Sequence, residues 1–178
     1  LGLAPAVGGG YLQRVDVVLA AASTKNEASL ALSIASPHLR PDAEVVRLNF
    51  PMTRDQAVLD QAWRENAATV AGILGAGKSA AFLTLGDPLT YSTFGYLLKT
   101  VQGLDPQVKV ETIPGITAYH AAAARLNLPL VESKESLLVV SGVSDPADIP
   151  RLAGCGDNVV IMKAYRSFDR ILDALEEL

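Results

Sequence analysis

Three short glycine-containing stretches hold the residues whose types and spacing could do chemistry. Gly72-Ile73-Leu74-Gly75-Ala76-Gly77-Lys78-Ser79 fits the pattern GxxxxGK[ST], in which backbone N–H groups cradle phosphates and the lysine neutralises them. Leu85-Gly86-Asp87-Pro88 follows an apolar run, and Thr90, Tyr91, Ser92 and Thr93 crowd hydroxyl groups behind it. Ile113-Pro114-Gly115-Ile116-Thr117-Ala118 again places small residues between an apolar run and an alanine-rich segment. Other chemistries are poorly supplied. A single cysteine, Cys155, cannot make an intrachain disulfide, and His38 and His120 form no cluster at metal-ligand spacing, so no metal ligand is expected. His120, three residues after Thr117, could reach a ligand, although packing on an alanine-rich helix is the plainer role.

Stepping along the chain, short β-branched runs alternate with segments of helical period. Strands are expected at Val15–Ala20, Glu44–Leu48, Ala80–Leu85, Val108–Thr112, Ser136–Ser141 and Asn158–Met162. Helices are expected at Asn26–Leu39, from Thr53 to about Gly75–Gly77, at Tyr91–Gln102, Thr117–Leu126 and Ser167–Leu178. In the second of these, Thr53 opens a capping box, and Leu59, Trp63, Ala67, Val70 and Leu74 make the apolar stripe. Strict alternation with nearly all-apolar strands defines an α/β protein built on a mainly parallel sheet covered on both faces. Residues 1–126 read as an N-terminal α/β domain and 127–134 as a linker. Residues 135–178 read as the start of a second α/β domain, expected to continue beyond Leu178 because two strands and two helices bury too little alone.

Context separates the glycine stretches. A phosphate loop needs a strand before it and a helix after it, so that the helix N-terminus faces the anion. Gly72–Ser79 has the reverse order, which makes Gly75 and Gly77 a helix cap and turn. Gly86-Asp87-Pro88 and Pro114-Gly115 do follow strands and open helices, where open parallel sheets bind ligands. An ordinary turn, with Thr117 as N-cap, is the bland alternative for each. Met162 and Lys163 also stand at a strand's carboxyl end, and Met162 is equally suited to a core.

Composition removes several function classes. With 49% hydrophobic and 19% charged residues the chain is no disordered segment. Fifteen Lys+Arg against nineteen Asp+Glu, a net charge of −4, give no basic face for nucleic acid. No apolar run approaches the roughly 18 residues of a membrane span, and no basic signal-peptide start precedes it, so the expectation is a cytoplasmic protein with neither membrane nor nucleic-acid partners.

Together Gly86-Asp87-Pro88, TYSTFGYL (Thr90 to Leu97), PGITAYHAAAA (Pro114 to Ala124) and VVIMK (Val159 to Lys163) resemble the class III, S-adenosylmethionine-dependent tetrapyrrole methyltransferases of corrin biosynthesis. The resemblance extends from about Val15 to Leu178. It implies two α/β domains with S-adenosylmethionine in the cleft between them, a tetrapyrrole substrate beside it, a homodimer, and no protein-bound metal. Carried over by motif, cofactor contacts fall on Leu85, Gly86, Asp87, Thr90, Thr117, Ala118 and Met162, with Tyr91 and Ser92 beside them. No catalytic residue is implied, because the methyl donor arrives activated. Lys163, Arg166 and Arg54 could meet the substrate's carboxylates, with solvated surface charge as their plain alternative. The family's N-terminal glycine-proline loop is not intact: Leu1-Gly2-Leu3-Ala4-Pro5 looks like a remnant and Lys25-Asn26 like a splice. Two other classes compete: a phosphate-loop NTPase that depends on Lys78, and a tetrapyrrole carrier that binds without turnover.

Overall fold

Four consecutive residues, Val17 to Ala20, are almost entirely sequestered from solvent, as the central strand of a parallel sheet requires. They belong to β1 (Val17–Ala22). The computed structural model describes residues 10–22 and 29–178. The expected glycine-proline remnant at Leu1–Pro5 and the Lys25-Asn26 junction lie outside those residues. Two compact units divide the chain, one ending at Ile116 and the other running from Thr117 to Leu178. The division falls ahead of the helix at Ala118–Leu126, whereas the sequence pattern places the boundary behind it.

In the first unit, α1 (Leu30–Ala35) precedes β2 (Glu44–Asn49), and α2 (Gln56–Gly75) precedes β3 (Ala80–Leu83). The three strands are parallel in the order β2-β1-β3. Val17, Leu19 and Leu48 from the strands and Phe50 just beyond β2 meet Ala67 and Val70 of α2 and Leu97 and Val101 of α3 (Phe94–Leu104) in one core. Burying each large member stabilises the fold by about 1.5–3 kcal/mol. The cap of α2 is Asp55, whose carboxylate accepts from the Ala57 and Val58 amides, and not Thr53 as the capping-box pattern suggests. Thr53 instead accepts the Asp55 N–H and shapes the approach to the helix. Asn66, buried on α2, closes the end of β2: Asn49 N–H donates to its Oδ1 at 3.1 Å, and its Nδ2 donates to the Asn49 carbonyl at 2.7 Å.

The expected strand at 108–112 joins no ladder among the described residues. Val108 packs on the core, but Lys109, Val110 and Glu111 stay exposed, and the stretch runs beside a cavity of about 620 Å³ that Phe82, Leu97 and Val108 help to line. Two charged residues in five leave it a single apolar side, which weakens its claim to a place inside a sheet covered on both faces.

The second unit contains α4 (Ala118–Leu126), β4 (Leu137–Val140), α5 (Ile149–Ala153), β5 (Asn158–Ile161) and α6 (Phe168–Glu176). β4 and β5 pair in parallel, from Leu137 with Asn158 to Val140 with Ile161. α5 is not among the helices expected from the sequence; Pro150 sits in its first turn, where its missing N–H has no helical partner to lose.

Both units use one device at the amino ends of their strands. Asp16 Oδ2 accepts the Ser79 amide and hydroxyl, each at 2.8 Å, while Asp16 N–H donates back to Ser79 Oγ, tying the entry of β1 to that of β3. Asp157 Oδ2 accepts the Ser136 amide at 2.8 Å and hydroxyl at 2.7 Å, and Asp157 N–H donates to Ser136 Oγ, tying β5 to β4. The serine amide and then its hydroxyl hold each carboxyl below the ordinary aspartate range.

Two stability predictions follow. Asn66→Leu leaves the Asn49 N–H and carbonyl without their partners and should lower the unfolding free energy by about 1–3 kcal/mol; an unchanged urea midpoint would contradict this. A carboxyl depressed in the folded state stabilises it above the unfolded value of about 3.9, and the contribution is lost as pH falls through the lower folded value. The melting temperature should therefore drop below about pH 4, less steeply in an Asp16→Asn, Asp157→Asn double variant. Identical acid limbs in parent and variant would refute the assignment.

Candidate functional site

The order β2-β1-β3 has a consequence for ligands. The chain leaves β1 for β2 on one side and then crosses to β3 on the other, so the strand order reverses between β1 and β3. Open α/β sheets bind ligands outside the carboxyl ends of the strands at such a reversal. The turn after β3 is the one that begins at Thr84 and contains Gly86-Asp87-Pro88.

That turn is organised from within. Gly86 has φ +70°, which favours glycine, and Tyr91 reaches φ +50° with a full side chain, an uncommon conformation that costs energy. Asp87 Oδ1 accepts the Leu89 amide and the Thr90 hydroxyl, both at 3.0 Å, and Asp87 Oδ2 accepts the Gly115 amide at 3.2 Å. Desolvation pushes the Asp87 carboxyl up, but the hydrogen bonds from Gly115, Thr90 and Leu89 outweigh it and leave the group below its ordinary range. Ser92 shares a hydrogen bond with Thr84 at 3.1 Å and accepts the Phe94 amide at the start of α3. The hydroxyl groups of Thr90 and Ser92 thus brace the turn, while Leu85 and Tyr91 lie about half exposed beside Gly86.

The structure brings the Pro114-Gly115 turn directly against this one. A Cβ built on Gly115 would stand 2.0 Å from the Gly86 carbonyl oxygen and 3.2 Å from the Asp87 Cα, so no other residue fits there without displacement. A Cβ on Gly86 would meet only ordinary contact, 3.6 Å from the Ile116 oxygen. The sequence pattern marks both turns as candidate ligand sites but puts the close backbone approach at Gly86 and leaves Gly115 out of the expected cofactor contacts.

The remaining candidates belong to the second unit. Thr117 is buried and caps α4, its Oγ1 accepting the His120 amide at 3.3 Å and lying 2.6 Å from His120 Nδ1. The His120 ring faces that cap and Tyr119, 4.6 Å between ring centroids. Ala118 is exposed in the first turn of the same helix. Met162, half-buried, follows β5 and donates its N–H to the Val140 carbonyl at 2.9 Å; Lys163 next to it is left-handed, φ +55°. Arg54 is exposed in the first unit, and the Arg166 side chain lies outside the described residues.

Gly72–Ser79 does not form an anion cradle. α2 ends at Gly75, and β3 begins at Ala80. The amides of Ala76, Gly77 and Lys78 donate to the Gly72, Leu74 and Ile73 carbonyls, and that of Ser79 to Asp16, so none points at a ligand. Lys78 Nζ lies 2.8 Å from Glu44 Oε2, an exposed pair whose partner raises the lysine above its usual range. Among the described residues no group of three His, Cys, Asp or Glu could hold a metal ion, and no described helix is long and apolar enough to cross a membrane.

A parallel α/β sheet with two glycine turns pressed together at its reversal point is a ligand-binding α/β architecture. The family described as Tetrapyrrole (Corrin/Porphyrin) Methylases matches residues 8–178, and the chain belongs to that family. It is 38% identical over 160 residues, 90% of this chain, to the cobalt-precorrin-2 C(20)-methyltransferase of Salmonella typhimurium. It is 34% identical over 85% of its length to the probable cobalt-precorrin-2 C(20)-methyltransferase of Methanocaldococcus jannaschii. These matches take in 66% and 62% of those proteins, so the chain spans a little under two thirds of the curated relatives it matches. Among solved structures, a cobalamin biosynthetic enzyme, cobalt precorrin-4 methyltransferase, superposes on 96% of this chain and 67% of its own, with a TM-score of 0.69 at 18% identity, a likeness of fold.

With Lys78 engaged as a helix-terminal cation in an exposed ion pair, Lys78→Ala should lower the unfolding free energy by no more than about 1 kcal/mol, and neither parent nor variant should bind Mg-ATP by titration calorimetry. Mg-ATP binding by the parent that the folded Lys78→Ala protein loses would return the phosphate loop to contention.

Proposed function

We propose that this protein is an S-adenosylmethionine-dependent C-methyltransferase that methylates C20 of precorrin-2 or cobalt-factor II in cobalamin biosynthesis. The observation that carries the reading is the pair of turns at Gly86 and Gly115, seated at the strand-order reversal of a tetrapyrrole methylase chain. The choice of carbon is supported by the two C(20)-methyltransferase relatives, and by LNFPMTRD (Leu48 to Asp55), AWRENA (Ala62 to Ala67) and TYSTFGYL, which look most like that member.

The residues present fit the methyl donor. Gly86 offers bare backbone, exposed Leu85 and Tyr91 offer apolar surface, and the turn is braced so that it presents one shape. We assign cofactor contacts to Leu85, Gly86, Asp87, Thr90, Tyr91 and Ser92, those of Asp87, Thr90 and Ser92 through the main chain because their side chains brace the turn, and, as the family resemblance implies, to Thr117, Ala118 and Met162. When bound, the cofactor supplies an activated sulfonium methyl group. The chain's task is then to bind, align and exclude water. Holding nucleophilic carbon, methyl and sulfur in line is worth up to about 7–11 kcal/mol in entropy already lost on binding, and the turns at Gly86 and Gly115 supply rigidity for it. No general base is assigned, because neither Asp87 nor His120 is free of protein partners. Cobalt, where present, travels with the substrate. The same reading makes the protein a homodimer, as the family resemblance implies, and places it in the cytoplasm.

Incubation with methyl-labelled S-adenosylmethionine and either precorrin-2 or cobalt-factor II should place one label on the macrocycle, at C20 by carbon NMR. Label at another carbon would move the protein to a different corrin methyltransferase. Binding without transfer would favour a carrier. Light scattering should report a dimer at micromolar concentration, and a monomer would count against that part of the reading.

A further inference from the structure

The Asp87 carboxylate touches both glycine turns. Oδ1 holds its own turn through Leu89 and Thr90, and Oδ2 reaches 28 residues along the chain to the Gly115 amide. The Gly115 backbone lies so close to the Gly86 carbonyl that a Cβ would overlap it. Two peptide groups at this separation need something that keeps them in register, and van der Waals contact alone has no preferred direction. A hydrogen bond from an amide to a charged carboxylate has one, and it is about twice as strong as a neutral bond.

We infer that Asp87 is a positioning residue, whose carboxylate staples the Gly115 turn to the Gly86 turn so that the two backbones form a single wall for the cofactor, and that Gly115 is the residue whose lack of a side chain permits the staple. This rests on the reading of the site as a binding place for S-adenosylmethionine. The role differs from a direct side-chain contact with the ligand. Both carboxylate oxygens already accept protein donors, and the group acts through the placement of Gly86 and Gly115. Asp87→Asn keeps the shape but gives up one of these acceptors, since its amide nitrogen must face either the Gly115 N–H or the donors of Leu89 and Thr90. Gly115→Ala leaves the carboxylate intact and forces the turns apart by contact with the Gly86 carbonyl.

The test uses the whole chain, selectively labelled with nitrogen-15 glycine, and two readouts: the Gly115 amide resonance and exchange rate, and the dissociation constant for S-adenosylmethionine by calorimetry. Asp87→Asn should move the Gly115 amide upfield, speed its exchange, and weaken binding by about tenfold to a hundredfold, the range of a hydrogen bond to a charged group. Gly115→Ala should weaken binding at least as much, and the double variant should be within about threefold of the weaker single one, because both changes break the same juxtaposition. Multiplying losses in the double variant, or weakened binding in Asp87→Asn with an unmoved Gly115 amide, would mean that Asp87 contacts the ligand directly and would overturn the inference. A shifted amide with unchanged affinity would overturn it as well. Should Gly115→Ala fail to fold, Asp87→Asn and its two readouts decide alone. A parent protein that binds no S-adenosylmethionine would instead bring down the functional reading beneath it, which keeps the two failures distinct.

Discussion

At the mouth of the first sheet, two backbones approach more closely than any side chain permits. The Gly86 carbonyl occupies the place where a Cβ of residue 115 would stand, and the surrounding hydrogen bonds preserve that approach. Asp87 spans the two turns, Thr90 locks Asp87, and Ser92 anchors the turn's far end to Thr84. Three side chains that could have met a ligand are thereby committed to fixing the main chain. The surface left for a ligand in this turn is backbone at Gly86 together with exposed Leu85 and Tyr91, chemistry that suits a flat, uncharged moiety better than a polyanion.

The two ends of the strands are built differently. At the amino ends, reciprocal Asp–Ser hydrogen bonds join β1 to β3 and β4 to β5, each bringing two side chains and their amides together. Such pairs fix the register of parallel strands where no tight hairpin can do so. At the carboxyl ends, Tyr91 and Lys163 hold left-handed conformations that no glycine relieves. Strain of this kind persists only where the surrounding structure enforces it. Each unit thus sets its strand register at one end and holds a left-handed residue at the other.

Much of this was legible in the residues. The apolar runs Val15–Ala20 and Ser136–Ser141 announce parallel strands, found at Val17–Ala22 and Leu137–Val140, and Thr117 is a helix cap by type as well as in fact. The order of helix, Gly75–Gly77 and strand was enough to discount the phosphate loop before the amides of Ala76 to Ser79 were accounted for. What escaped was long-range or contextual. Val108–Thr112 has strand propensity, but Lys109 and Glu111 prefer water to a ladder. α5, five residues long, is too short to show a helical period. The bond from Asp87 to Gly115 links residues 28 apart, a pairing no local pattern encodes. The Asp16–Ser79 and Ser136–Asp157 pairs were invisible for the same reason.

Hydrogen exchange read by mass spectrometry, with and without saturating S-adenosylmethionine, tests the central claim most directly. The account expects ligand-dependent protection in the peptides covering residues 84–92 and 113–116, with residues 72–79 unchanged. Protection at 72–79 with none at the two glycine turns would contradict it.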